Sequence, residues 1–172
     1  YSDVRKIFDL RKQGNILSVE KNKHLWYSFY IILILGCILM SKWIDNKTVI
    51  LTGASSGIGK MLAERLMKEH NCKVIGVARS EKKMLAFVEE LGEYAKLFSY
   101  KLFDVSSYDN WQDFHNWLVE SNIKPDVLIN NAGVLPRFDR LMNYTKEEID
   151  ESINIDFYSA AYSSKIMLPL LM

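Results

Sequence analysis

Cysteine is scarce in this chain: Cys37 and Cys72 are the only two, and neither has a second cysteine or a histidine nearby at metal-ligand spacing. A disulfide framework and a clustered metal site are thereby excluded, and the globular part reads as a protein of a reducing compartment. An excess of one charge is also missing. The 22 Lys and Arg residues against 21 Asp and Glu give a net charge of +1, mixed along the chain with no basic patch, so nucleic acid is not an expected partner. No internal repeat or low-complexity tract interrupts the pattern. The histidines, His24, His70 and His115, fall in flanks or helix-like runs, where structural or solvated roles are expected rather than catalytic ones. A methionine start is absent too: the chain opens on Tyr1 and closes on Met172 inside an apolar run, so a fragment at both ends is expected.

Glycine is sparse, but three of the eight glycines fall within Thr52-Gly53-Ala54-Ser55-Ser56-Gly57-Ile58-Gly59. This stretch follows an apolar strand-like run, 47–51, and opens a helix-like one. Lacking a Cβ, Gly53 suits a tight turn, Gly57 a close backbone approach to a pyrophosphate, and Gly59 close packing of helix on strand. The N–H groups of the following helix would face the anion, with Ser55, Ser56 and Ile58 beside them. The spacing is G-x-x-x-G-x-G rather than the common G-x-G-x-x-G, so the inference rests on mechanism and not on pattern identity. A mononucleotide P-loop is approached at 54–61, but Ala54 stands in place of its first glycine and Met61 in place of the magnesium-binding hydroxyl. A turn without a ligand is the other alternative.

Three regions follow from composition: a polar segment 1–24, a candidate transmembrane helix 25–41, and a nucleotide-binding domain 47–172. The stretch 25–41 carries no charge, and its Leu, Ile and Phe residues contribute on the order of −3 to −5 kcal/mol to membrane insertion. Trp26, Tyr27 and Tyr30 at one end and Trp43 at the other would sit at the interfaces, although the run is at the short limit for a span. A single-pass anchor and a membrane location are expected. If translation begins at Met40, residues 1–39 are an upstream extension and the protein is cytoplasmic.

Beyond Lys47, strand-like and helix-like patterns alternate roughly every 25 residues, as βα units on a parallel sheet do. Strands are predicted at 49–52, 74–78, 97–105 and 127–130. Helix faces are predicted from Ile58, Leu62 and Leu66, from Met84, Leu85 and Val88, and from Tyr108, Trp111, Phe114 and Leu118. Ser80 and the Ser106-Ser107 pair are placed as caps, and Leu91-Gly92 as a helix end. Thr145-Lys146-Glu147-Glu148 has capping-box form and opens a long run through Ile149, Ile153 and Phe157 to Met167.

With the glycine turn after the first strand, Asn130-Asn131-Ala132-Gly133 after the fourth, and Asn154 in the next helix, the chain resembles the short-chain dehydrogenase/reductase family over 47–172. It is similar to the single-domain branch, since extended epimerase relatives usually show G-x-x-G-x-x-G. The resemblance implies an α/β, Rossmann-like doubly wound parallel sheet, here truncated before the catalytic half and preceded by an N-terminal hydrophobic helix. It implies a nicotinamide dinucleotide as cofactor and hydride transfer to or from a carbonyl carbon. Carried over by position, Gly53 to Gly59 would hold pyrophosphate, Asp104 and Val105 would contact adenine, and Asn131, Ala132 and Gly133 would line the ribose side. Asn154 would brace the catalytic water and lysine. The plain alternatives are a turn or cap role for Asp104 and a helix-kinking polar residue at Asn154.

The second strand ends Val77-Ala78-Arg79-Ser80, without the carboxylate that would bond the ribose 2′-hydroxyl of NAD. Arg79 and Ser80 suit a 2′-phosphate, so NADP (NADPH) is expected ahead of NAD, with a solvated helix-start arginine as the alternative. The family's chemistry also uses a Ser and a Tyr-x-x-x-Lys pair. No tyrosine here has lysine four residues later, and Tyr162-Ser163-Ser164-Lys165 is one residue short. These groups and a fifth strand beside the fourth are expected past Met172, so this chain alone is expected to show no dehydrogenase activity. The expected partner is a small carbonyl or alcohol substrate, lipophilic if the protein is anchored, and the full-length protein is expected to be a homo-oligomer. The alternative function is a non-catalytic dinucleotide-binding sensor or scaffold.

Overall fold

Val49, Ile50 and Leu51 of strand β1 (Thr48–Thr52) are fully buried, as a parallel strand covered on both faces requires. A computed structural model describes residues 42–172, in which a 3-10 turn (Lys42–Ile44) precedes this strand. The segments 1–24 and 25–41 lie outside the described residues, and with them the expected N-terminal hydrophobic helix and anchor. Among the described residues no helix is long and apolar enough to cross a membrane.

From β1 the chain alternates: α1 (Gly57–His70), β2 (Lys73–Ala78), α2 (Glu81–Leu91), a 3-10 segment (Gly92–Leu97), β3 (Phe98–Leu102), α3 (Tyr108–Glu120) and β4 (Val127–Ile129). A 3-10 turn (Leu141–Asn143), α4 (Lys146–Ser152), a π-helical stretch (Ile153–Tyr158) and α5 (Ser159–Leu171) follow. The strands form one parallel sheet in the order β3-β2-β1-β4. The chain therefore builds outward from β1 in one direction and then returns to its other side. Where the order reverses, the loops leaving β1 and β4 part, and such a switch point is where open α/β sheets bind ligands.

Ile50, Ile75 and Val77 pack with Val105 and with Trp111, Phe114 and Leu118 of α3, and Ile155 and Met167 from the last helical segments complete this cluster. Side chains alternate across a strand, so Val49, Leu51 and Val74, also buried, face the other side, and α1 packs on β1 and β2. The helix boundaries follow local chemistry. The Ser80 and Ser107 hydroxyls accept from Lys83 N (3.4 Å) and Asn110 N (3.3 Å). Asn71 and Gly92, with φ of 51° and 54°, close α1 and α2. Thr145 and Glu148 form the expected capping box of α4.

Four details differ from the sequence reading. In α2 the inward stripe is Met84, Phe87 and Leu91; Leu85 is 48% exposed, and the Phe87 ring meets Phe98 of β3 edge-on at 5.1 Å. The third strand stops at Leu102, and Phe103 to Val105 form the turn into α3. The fourth strand is three residues long, pairs only with β1 among the described residues, and is half-buried rather than fully covered. Ile149, Ile153 and Phe157 are 39%, 48% and 62% exposed, because the run is not one continuous helix: a π turn interrupts it, and Ile155, Ser159, Ser163 and Met167 face inward.

Candidate active site

Thr52 ends β1 with its side chain 2% exposed, and its hydroxyl stitches two loops together. Its oxygen accepts from Asn131 N and Ala132 N, both at 2.9 Å, and its proton points to Ile129 O at 3.5 Å. That uses the donor and both lone pairs of a hydroxyl. Asn131 Nδ2 returns a bond to Thr52 O at 2.9 Å. Gly53 N donates to Val77 O at 2.8 Å, so the turn also stays tied to β2.

In this tight junction the glycines divide their tasks. A Cβ on Gly59 would lie 2.2 Å from Gly53 O and 2.5 Å from Asn131 Nδ2, and one on Gly53 would lie 2.9 Å from Asn131 Nδ2. Gly57 would meet nothing within 4 Å, yet its φ of 54° lies in the left-handed region that disfavours a side chain. Ser56 precedes α1 without bonding its N–H groups through the side chain. Amides at a long helix start, with no side-chain cap and glycines that let a ligand come close, suit an anion such as a linked diphosphate.

A cavity of about 370 Å³ opens over this turn. It is lined by Gly53, Ser55, Ser56, Ile58 and Gly59, by Val77 to Ser80 and Lys83, by Phe103 to Val105, and by Asn131, Ala132, Gly133 and Ile155. Of the residues singled out in the sequence, only Gly57 and Asn154 are not in this lining. Gly57 shapes the backbone instead. Asn154 lines an adjoining cavity, also about 370 Å³, with Arg79, Asp104, Ser106, Glu147, Asp150, Glu151 and Ile155. Its carbonyl accepts from Ser159 N, five residues on, which makes it part of the π turn.

Asp104 is held by its own turn: Oδ1 accepts from Ser106 N at 3.0 Å and from Ser106 Oγ at 2.8 Å. Partial burial pushes its pKa up, but the two Ser106 bonds and the nearby Arg79 charge outweigh this and hold it below the usual carboxylate range. Val105 is fixed beside it, its carbonyl accepting from Trp111 Nε1 at 2.8 Å. Asn130 turns away toward α5, where its Oδ1 accepts from Ser163 Oγ at 2.7 Å. Asp156 Oδ1 accepts from Val134 N at 2.8 Å and pins the far end of the β4 loop.

Sequence reasoning missed Thr52, Lys83, Phe103 and Ile155 as parts of the site. Lys83 was legible by its place one helical turn beyond Arg79, whereas a hydroxyl ending a buried strand, as at Thr52, does not by itself show which loop it bonds. Nothing in the periodicity marked Phe103 or Ile155. Of the histidines, His70 bonds Asp45 through Nδ1 at 2.7 Å, at the start of β1 and the end of α1, opposite the cavity.

Comparison with known proteins agrees with this geometry. A family model described as short chain dehydrogenase matches residues 47–172. The NADPH-dependent pterin aldehyde reductase of Arabidopsis thaliana is 29% identical over 126 residues, covering 73% of this chain and 51% of that protein. The 3-oxoacyl-(acyl-carrier-protein) reductase of Vibrio harveyi is 33% identical over 133 residues, covering 73% of this chain and 49% of that protein. Among solved structures, an alcohol dehydrogenase from the archaeon Thermococcus sibiricus complexed with 5-hydroxy-NADP superposes with a TM-score of 0.65 at 30% identity, over 73% of this chain and 53% of that one. The chain thus spans about half the length of the curated relatives it matches.

Proposed function

This chain belongs to the short-chain dehydrogenase family, and from that premise we propose that it is the cofactor-binding half of an NADP(H)-dependent oxidoreductase acting on a small carbonyl or alcohol substrate. The nicotinamide, when bound, supplies or accepts the hydride. The chain's own part is to hold the dinucleotide: the turn from Gly53 to Gly59 and the start of α1 receive the pyrophosphate, Asp104 and Val105 the adenine, and Asn131 to Gly133 the ribose side. Asn154 braces the water and lysine of the catalytic centre in the full-length protein, which carries the Ser and Tyr-x-x-x-Lys groups. The Arabidopsis relative named for NADPH, and the neighbour complexed with an NADP derivative, support the choice of cofactor.

One observation carries that choice. Arg79 leaves the end of β2 at the cavity, exposed and without an ion pair among the described residues, where a carboxylate would serve the 2′-hydroxyl of NAD. Arg79→Ala is expected to weaken NADPH binding by the full-length protein about 10- to 150-fold, or about 1.5 to 3 kcal/mol, and to leave NADH nearly unchanged. A calorimetric titration in which both cofactors weaken equally would defeat the NADP assignment. A single-pass anchor at 25–41, a lipophilic substrate and a homo-oligomer belong to the same proposal. The anchor is checked by whether the full-length protein stays with membranes after a high-salt wash, and its release by salt would count against it.

A further inference from the structure

The loop that leaves β4 is fastened by three elements in turn. Asn130 bonds Ser163 of α5, Asn131 and Ala132 bond Thr52 of β1, and Val134 bonds Asp156 of the π-helical stretch. Asp156 is exposed and lines neither cavity. Yet its Oδ1 accepts from Val134 N at 2.8 Å, directly after Gly133, the last residue of that loop in the lining of the main cavity. Gly133 points to the same partner. Its φ lies outside the left-handed region, so the backbone does not itself require glycine there. A Cβ at 133 would lie 3.3 Å from Asp156 Oδ1, and its next neighbour among the described residues would be Asn131 O at 4.0 Å. The absent side chain leaves room for the carboxylate.

A trans peptide sends its C=O and its N–H to opposite sides of the chain, and no peptide among the described residues is cis. With the Val134 N–H held by Asp156, the Gly133 carbonyl is turned away from the π-helical stretch, and it accepts no bond among the described residues. A carbonyl so placed can accept from a sugar hydroxyl. Sheet order decides which half of a dinucleotide it meets. The glycine turn leaves β1, Arg79 and Asp104 follow β2 and β3 on one side of it, and β4 lies on the other side. A dinucleotide with its diphosphate on the turn and its adenine over β2 and β3 therefore lays its nicotinamide-side ribose over the β4 loop.

We infer that Asp156 is a positioning residue for the coenzyme: its carboxylate sets the Gly133–Val134 peptide so that the Gly133 carbonyl accepts from a hydroxyl of the nicotinamide-side ribose. This rests on the dinucleotide reading above, but not on the choice between NADP and NAD. Titrating the full-length protein with NADPH, with NADH and with ADP, which stops at the diphosphate, tests it without requiring turnover. Asp156→Ala is expected to weaken both coenzymes about three- to tenfold and to leave ADP within about twofold. Asp156→Asn, whose amide oxygen still accepts from Val134 N, is expected to stay within about twofold of wild type for all three ligands. If Asp156→Ala binds the coenzymes as tightly as wild type, the role of Asp156 is overturned and the dinucleotide reading stands. Equal weakening of coenzyme and ADP by Asp156→Ala also overturns that role, because a general loosening of the fold would act on both. So does an Asp156→Asn variant that loses as much as Asp156→Ala. Wild-type protein that binds neither coenzyme more tightly than ADP overturns both.

Discussion

Position 59 tolerates no side chain, and position 57 tolerates one only at the cost of strained backbone. An alanine at 59 would bring its methyl to 2.2 Å from a backbone carbonyl, so the β1 turn, the β4 loop or the start of α1 must move. An alanine at 57 has open space but must hold φ at 54°, which costs about 1 to 2 kcal/mol. We expect Gly57→Ala to lower unfolding free energy by about that amount and to retain weakened NADPH binding. Gly59→Ala should abolish measurable binding and destabilise more. Denaturant unfolding and cofactor titration of the two variants check this order, and its reversal would count against the packing role of Gly59. The tight turn at Gly53 and the close packing at Gly59 were legible because each follows from the lack of a Cβ in a strand-turn-helix, whereas the left-handed φ of Gly57 was not marked by the spacing. Thr52 was harder to assign from sequence, since a buried hydroxyl at a strand end acquires its meaning only from the loop 79 residues away that it bonds.

At the scale of elements, strands and caps were readable while helix faces were less so. The four strands lie within the predicted runs except at their ends, and the predicted Ser80 cap and Thr145 capping box are in place. The last helical run was misread because it carries two stripes at fourfold spacing. Ile149, Ile153 and Phe157 are the more apolar, yet Ile155, Ser159, Ser163 and Met167 are buried, two residues out of phase and so about 200° around the helix. The serines are tolerated inside because Ser159 bonds Ile155 O and Ser163 bonds Asn130 Oδ1. Asp126 ties β4 to β1: its carboxylate accepts from Thr48 N at 2.8 Å and from Lys47 Nζ at 2.9 Å. The Thr48 bond first, and then Lys47, lower its pKa. A depressed carboxylate pKa stabilises the fold above the unfolded value of about 3.9, and that contribution is lost as pH falls through the folded value. Asp126→Asn should therefore cost stability at pH 7, by less than about 1 kcal/mol for so exposed a pair, and the gap from wild type should close below about pH 4. Unfolding curves across that range in which the gap stays constant would contradict it.

For the molecule as a whole, alternation of strand and helix patterns indicated a parallel sheet, but the order β3-β2-β1-β4 came only from the structure. That order matters because it places the Gly53 turn and the Asn131 loop on either side of one crevice, whose seventeen lining residues are separated by up to 102 positions in the chain. The proposed NADP preference, by contrast, rests on one residue type at one strand end, Arg79. The expected membrane anchor at 25–41 lies outside the described residues. The central claim is that backbone amides at the start of α1, exposed by the glycine turn, receive the linked phosphates of a nicotinamide dinucleotide. Isothermal titration of the full-length protein with NADPH and with NADH tests it most directly: saturable one-site binding, tighter for NADPH, is expected, and no detectable heat or competition with either coenzyme at millimolar concentration would contradict it.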